Sequence, residues 1–526
     1  MTLLRASARP AGRQAAPSAG HQDALDGLRA LAAMAVIVTH VGGLTGYVLT
    51  GTPASWVVSR GNIGVPIFFV LSGLLLYRPW AAAALAGPPA GRLGSYLGRR
   101  ALRILPAYWL VVLVALPVLN PGPARHAWPW VQYLLLVQNY DPHPWWAGTG
   151  AAGLAQDWSL VVEVSFYLVL PVLAALLAWH AGRAGWVGWR TRPATDVAGR
   201  ARRLLAATAV LGLSSFGWAL LAYYPHAEFW FNATLPPLLI WFAAGMALAV
   251  VAAWAAAEPG GDGPASRLRR AVASSAGMCF LIAGCAFAIA CTPAAGPEFI
   301  SLLSPWNAEL RLALFTVVAV ALVAPVAFQP ALASTPLSSR VLGSPVPRFV
   351  GKVSYGIFLW QLLIGAAFFT AARLKGPFQG GHYNGLQTLG IMAAVALLST
   401  AAATVSYYLV EVPARRLGRL RLARRRRSGL GQDQRGGQPG HDDQADDLRD
   451  RVPQVGHEAA GVTRPEQPLA DHAADQGGQQ QGGQQPGPGE LGPDPADPAV
   501  AGRRHEQPGG DRHDDGAGEP AQPEAG

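Results

Sequence analysis

His40 follows Arg29 by eleven positions in an otherwise apolar stretch, GLRALAAMAVIVTH at 27–40. On a helix that spacing is about 16 Å and about three turns, so both side chains leave from one face. A guanidinium holds an anion, and a neutral imidazole with an ordinary pKa of about 6.5 takes a proton from a hydroxyl. The other reading of His40 is a hydrogen bond to a neighbouring helix. Arg100 and Arg103, in RRALRILPAY at 99–108, also share a helical face. They serve either as markers of the cytoplasmic side or as a phosphate clamp. In DWSLVVEVSFYLVLP at 157–171, Glu163 and Tyr167 are one helical turn apart. This reading puts Glu163 on the external side, one turn inside its helix, where a buried carboxylate requires a partner. Ser72, beside Gly73 in GNIGVPIFFVLSGLLLYRPW at 61–80, is read as a packing residue or a substrate contact.

The elements that carry these residues are apolar runs of spanning length. They fall at about 28–48, 62–79, 103–119, 158–179, 204–222, 235–254, 271–291, 311–329, 350–372 and 387–410. With 51% hydrophobic and 14% charged residues and a mean hydropathy of +0.24, the chain reads as an all-α polytopic membrane protein of about ten transmembrane helices. The run WVQYLLLVQNY at 130–140 is too short to span and reads as an interfacial or re-entrant piece. Loops near 80–102, 180–203, 255–270 and 330–349 carry the arginines, while those at 223–234 and 292–309 hold no Lys or Arg. That alternation places both termini in the cytoplasm.

The ends differ from this middle. Residues 1–24 read as a cytoplasmic segment without a signal peptide, and 418–427 as a basic juxtamembrane segment. From Ser428 onward there are 7 basic against 19 acidic residues in a stretch rich in Gly, Gln and Pro. It has no hydrophobic period with which to build a core, so 428–526 is expected to be a disordered acidic low-complexity tail. The net charge of +10 therefore comes from arginines lying between apolar runs, which speaks for the lipid bilayer and against nucleic acid as partner. Cys279, Cys285 and Cys291 are spaced to point in different directions on a helix, so no metal site is expected.

Taken in order, LDGLRALAA followed by His40, FFVLSG, RRALRILPAY, WSLVVEVSFYLVLP, VSYGIFLW and EVPARR resemble the acyltransferase-3 family of integral-membrane O-acyltransferases. The resemblance covers about residues 21–417 and implies an acyltransferase-like transmembrane domain over 25–417. It implies a catalytic role for His40 and Glu163. It assigns acyl-donor binding to Arg29, Arg100 and Arg103, and substrate contact to Ser72, Trp158 and Tyr167. Members of the family carry Tyr and His where this chain has Phe358 and Gln361, and these two positions are left without a role.

The expected reaction moves an acyl group, in first place acetyl, from cytoplasmic acyl-CoA to a hydroxyl of an extracytoplasmic sugar or glycosylated metabolite. Acyl-CoA is the donor substrate and no cofactor is expected to be bound. The Ala, Gly, Pro and Arg bias suggests a bacterial plasma membrane. The rival reading is a transporter or flippase of a lipid-linked or secreted sugar, with His40 and Glu163 as a proton relay.

Overall fold

The structure, a computed structural model, describes residues 19–87, 90–182, 197–223, 229–297, 304–329 and 337–417. The juxtamembrane segment at 418–427 and the tail at 428–526 lie outside the described residues, as do residues 1–18. The described residues form helices joined by turns and loops, with no strand among them, in the order α1 (Ala19–Leu44), α2 (Pro53–Ser59), α3 (Gly64–Leu85), α4 (Leu93–Leu119), α5 (Ala127–Leu134), α6 (Trp158–His180), α7 (Val197–Tyr223) and α8 (Phe229–Asn232). There follow α9 (Leu235–Ala257), α10 (Pro264–Ser274), α11 (Ala276–Ala290), α12 (Pro305–Ala327), α13 (Leu337–Leu342), α14 (Pro345–Ala371) and α15 (Gly385–Ser406), closed by a π turn over Tyr407–Glu411. Among the described residues nine helices are long and apolar enough to cross a membrane, ten if α10 and α11 are taken together.

That pair differs from the straight span expected at 271–291. Its two helices meet at 72°, because Ser275 leaves the helical region (φ −101°, ψ 31°). At about 22 Å, α11 alone is short of the roughly 30 Å hydrocarbon thickness. The first span also differs: α1 begins at Ala19 and ends at Leu44, ahead of the expected 28–48. Its end is set by Gly46, whose φ of 72° favours glycine. Arg29 therefore stands ten residues into α1, and His40 only four residues from its C-terminal end.

Small residues bring the helices together. A side chain at Gly73 of α3 would run into the carbonyl of Phe242 on α9, and one at Gly245 of α9 would meet the carbonyl of Val70 on α3. Behind this crossing the rings of Phe69 and Phe166 stack on either side of Phe242, with centroids 4.4 and 4.1 Å away. The stack ties α3, α6 and α9 into one wall.

The short apolar run folds back along α4 as α5 and the turn at Gln138–Tyr140. Tyr108 Oη donates to the carbonyl of Tyr133 at 2.7 Å, and Trp109 Nε1 to that of Leu134 at 3.0 Å. Asn139 Nδ2 then donates to the carbonyls of Trp158 and Ala233 at 2.8 and 2.6 Å. Gln156 Nε2 donates to the carbonyl of Leu359, midway along α14, at 2.9 Å. These bonds fix the start of α6 against the middle of α14.

Arg60, fully buried between α2 and α3, holds the C-terminal end of α11. Its Nε donates to the carbonyl of Ala290 at 2.7 Å, Nη2 to Gly296 at 2.6 Å and Nη1 to Pro297 at 3.1 Å. A cation fits there because the last carbonyls of a helix carry negative partial charge. Arg60→Met is expected to cost about 3 kcal/mol by leaving these carbonyls unpaired. Thermal unfolding in detergent checks this, and an unchanged midpoint would refute the role.

Candidate active site

A cavity of about 270 Å³ opens between α1, α3, α4, α6 and α14. Arg29, Arg100 and Arg103 line it together with Ser72, Ser159, Glu163, Tyr167, Ser354, Tyr355 and a wall of Phe, Leu, Ile and Val. Three guanidinium groups against one carboxylate give its lining an excess of positive charge. Arg29 is paired with Asp26, one turn earlier on α1, and lies within electrostatic range of Arg103. Among the described residues neither Arg100 nor Arg103 has an ion-pair partner, and Arg100 Nε is buried without a hydrogen bond. Like charges gathered in this way repel, so the arrangement favours whatever negative group enters.

Glu163 is the carboxylate in this cavity. Its Oε1 accepts from Ser72 Oγ and from Tyr167 Oη, each at 2.5 Å. Oε2 makes no hydrogen bond among the described residues and is left for a ligand. The side chain shares its space with the arginines, and its charge acts on Arg100. The expectation that set Glu163 apart from the arginines gives way to one shared space: the carboxylate and the three guanidinium groups line the same cavity. Tyr355 Oη donates to the carbonyl of Ile104 at 2.8 Å, which fixes α14 against α4 beside Arg103. Glu411, buried in the π turn, accepts from Arg415 Nη2 at 3.2 Å and acts on Arg103 from outside the lining.

The cavity thus brings together Arg29, Ser72, Arg100, Arg103, Glu163 and Tyr167, and leaves two expected residues outside. Trp158 is the first residue of α6 and does not line it, whereas the next two residues, Ser159 and Leu160, do. His40 also stands apart, farther along α1. Its position relative to α14 follows from glycine contacts: a side chain at Gly351 would strike the carbonyl of Asp26, and one at Gly365 would meet Leu44 Cδ1. The two helices run parallel, and this register sets Arg29 near Ser354 and His40 near Gln361. Ser354, Tyr355 and Phe358 of the cavity wall were not among the expected site residues. The signal for them was the VSYGIFLW stretch, which carries all three.

An acyltransferase domain family matches residues 22–409, a range that includes every residue of this site. Among curated proteins the chain is similar to acyltransferase MdmB of Streptomyces mycarofaciens, 29% identical over 43% of this chain and 56% of the relative. It is similar to nodulation protein 10 of Rhizobium leguminosarum bv. viciae, 28% identical over 37% and 51%. It is also similar to peptidoglycan O-acetyltransferase OatA of Listeria monocytogenes, 25% identical over 64% and 48%. The matched stretch thus spans about half the length of each of these relatives. No solved structure matches the chain. With three quarters of its length under the family match, the chain belongs to the acyltransferase-3 family.

Proposed function

We propose that the protein is a membrane O-acyltransferase that takes an acyl group, in first place acetyl, from cytoplasmic acyl-CoA and transfers it to a hydroxyl of an extracytoplasmic carbohydrate or glycosylated metabolite. The observation that carries this reading is the cavity in which Arg29, Arg100 and Arg103 outnumber Glu163. An acyl-CoA brings phosphates to such a cluster and an apolar acyl end to the Phe and Leu wall. The names of two relatives, an acyltransferase and a peptidoglycan O-acetyltransferase, support the reaction class. The basic loops support a bacterial plasma-membrane protein with cytoplasmic termini.

In this mechanism the arginines hold the phosphates at the inner end, and the pantetheine arm carries the thioester outward toward His40. His40 takes the proton from the acceptor hydroxyl as its oxygen attacks the thioester carbonyl. The carbon–sulfur bond breaks, and CoA leaves as the thiol with that proton. Glu163, held by Ser72 and Tyr167, turns its second oxygen to an N–H or O–H of the ligand. Trp158, about 7.5 Å outward of Glu163 along α6, offers a ring face to the sugar.

The test is release of free CoA from acetyl-CoA by the full chain in lipid vesicles, with and without envelope sugars. Release above empty vesicles, raised by acceptor, is expected. No release with any acyl-CoA would overturn the reading, and sugar movement across the vesicle without release would make the protein a carrier.

A further inference from the structure

His40 and Gln361 meet across the α1 and α14 contact, and each keeps one buried atom without a hydrogen bond: Nδ1 of the imidazole and Oε1 of the amide. The register pinned at Gly351 and Gly365 brings the two positions side by side. The amide is oriented, because its Nε2 donates to the carbonyl of Phe358 at 3.1 Å. A carbonyl only accepts, so Oε1 is the end left for another partner. Gln361 is 2% exposed, and among the described residues it is the only side chain that acts on the imidazole. No carboxylate, lysine or arginine does so from α1, α3, α14 or α15. His40 is half-buried as a residue, and Nδ1 is the enclosed side of its ring.

We propose that Gln361 is the positioning residue of His40, accepting a hydrogen bond from Nδ1–H through its Oε1 and so presenting Nε2 with its lone pair to the acceptor hydroxyl. The tautomer of a histidine is set by the bond its other nitrogen makes. Catalytic hydrogen bonds are often loose until substrate is present, which accounts for two neighbouring side chains that each keep a buried atom without a partner. An amide gives the ring a direction without adding charge at a depth where a second ionisable group is costly. Because Phe358 itself lines the cavity, Gln361 also links the acyl-donor wall to the base. The inference rests on the reading of His40 as the base.

The experiment compares acceptor-stimulated CoA release by Gln361→Leu, Gln361→Glu and His40→Ala with wild type, each as a full pH profile. Gln361→Leu removes the acceptor atom. It is expected to lower kcat at least about tenfold, a share of the ~10²–10⁴ that a positioned base supplies, with KM for acyl-CoA unchanged because the arginines are untouched. Gln361→Glu accepts the same bond and is expected to restore kcat. Its charge stabilises the imidazolium, so the base form appears only at higher pH and the acid limb of the profile moves upward. A buried amide that merely packs would leave kcat at the wild-type value in Gln361→Leu; the moved limb of Gln361→Glu reports that position 361 lies close to the imidazole.

Wild-type kcat in Gln361→Leu, with His40→Ala inactive, would overturn the role of Gln361 and leave His40 as base. Wild-type activity in His40→Ala would instead overturn the underlying reading. If Gln361→Leu fails to fold, Gln361→Met, which keeps the length of the side chain but has no acceptor oxygen, takes its place: a lowered kcat with KM unchanged supports the role and a wild-type kcat overturns it.

Discussion

His40→Ala is expected to lower acyl transfer by about 10²–10⁴-fold while the protein still binds acyl-CoA. The prediction follows from the separation of the two chemistries along α1. The guanidinium groups line a cavity in the bundle, and His40 stands outside its lining, four residues from the C-terminal end of the helix. Removing the imidazole takes away the base and leaves the phosphate contacts in place, so kcat falls and KM for the donor stays. Binding and turnover measured separately, by equilibrium titration with acyl-CoA and by acceptor-stimulated CoA release, check the split. A rise in KM with kcat retained would make His40 a binding group. The alanine leaves a small void and no unpaired charge, so the variant should still fold; an unchanged unfolding midpoint serves as control.

Most of the helices were legible as apolar runs of spanning length, because each pays for burial in lipid with its own continuous hydrophobicity. What was not legible were places where distant side chains rewrite local rules. The apolar run that marks the first span starts at 28 in the sequence, after Asp23 and Asp26. In the fold Asp26 neutralises Arg29, and Asp23 meets Arg348 of α14 at 3.1 Å, so the helix starts nine residues earlier. The segment at 130–140 was visible as too short to span, but its return along α4 depends on Asn139 and Gln156 reaching carbonyls far away in sequence. Nor was it visible that Glu163 shares one cavity with the arginines.

The site divides in the same way. Arg100 with Arg103, and Glu163 with Tyr167, were visible because helical spacing alone puts each pair on one face. The partnership of Glu163 with Ser72 was not, since 91 residues separate them. Gln361 drew attention only as a departure from the family pattern. Its place beside His40 emerges from the parallel packing of α1 on α14, which periodicity within either helix does not encode.

The second large effect is expected at the arginine pair. Arg100→Ala and Arg103→Ala should each raise KM for acyl-CoA by about 10–100-fold, the equivalent of losing one charge-assisted hydrogen bond worth about 1.5–3 kcal/mol. The double variant should lose more than either alone but less than the product, because the two guanidinium groups share one anion and repel each other without it. Lysine tests geometry against charge. It keeps the charge but not the planar fork, so Arg100→Lys should restore only part of the affinity if the pair clamps phosphate. Should the arginines only mark the inner side of the bundle, lysine would match wild type in every kinetic constant, and alanine would disturb insertion instead of KM. Salt separates the outcomes further: a phosphate clamp weakens as ionic strength rises, most of all at Arg103, the more exposed of the two. Titrating KM against salt for wild type and the four single and double variants therefore reads out whether this cluster binds the donor.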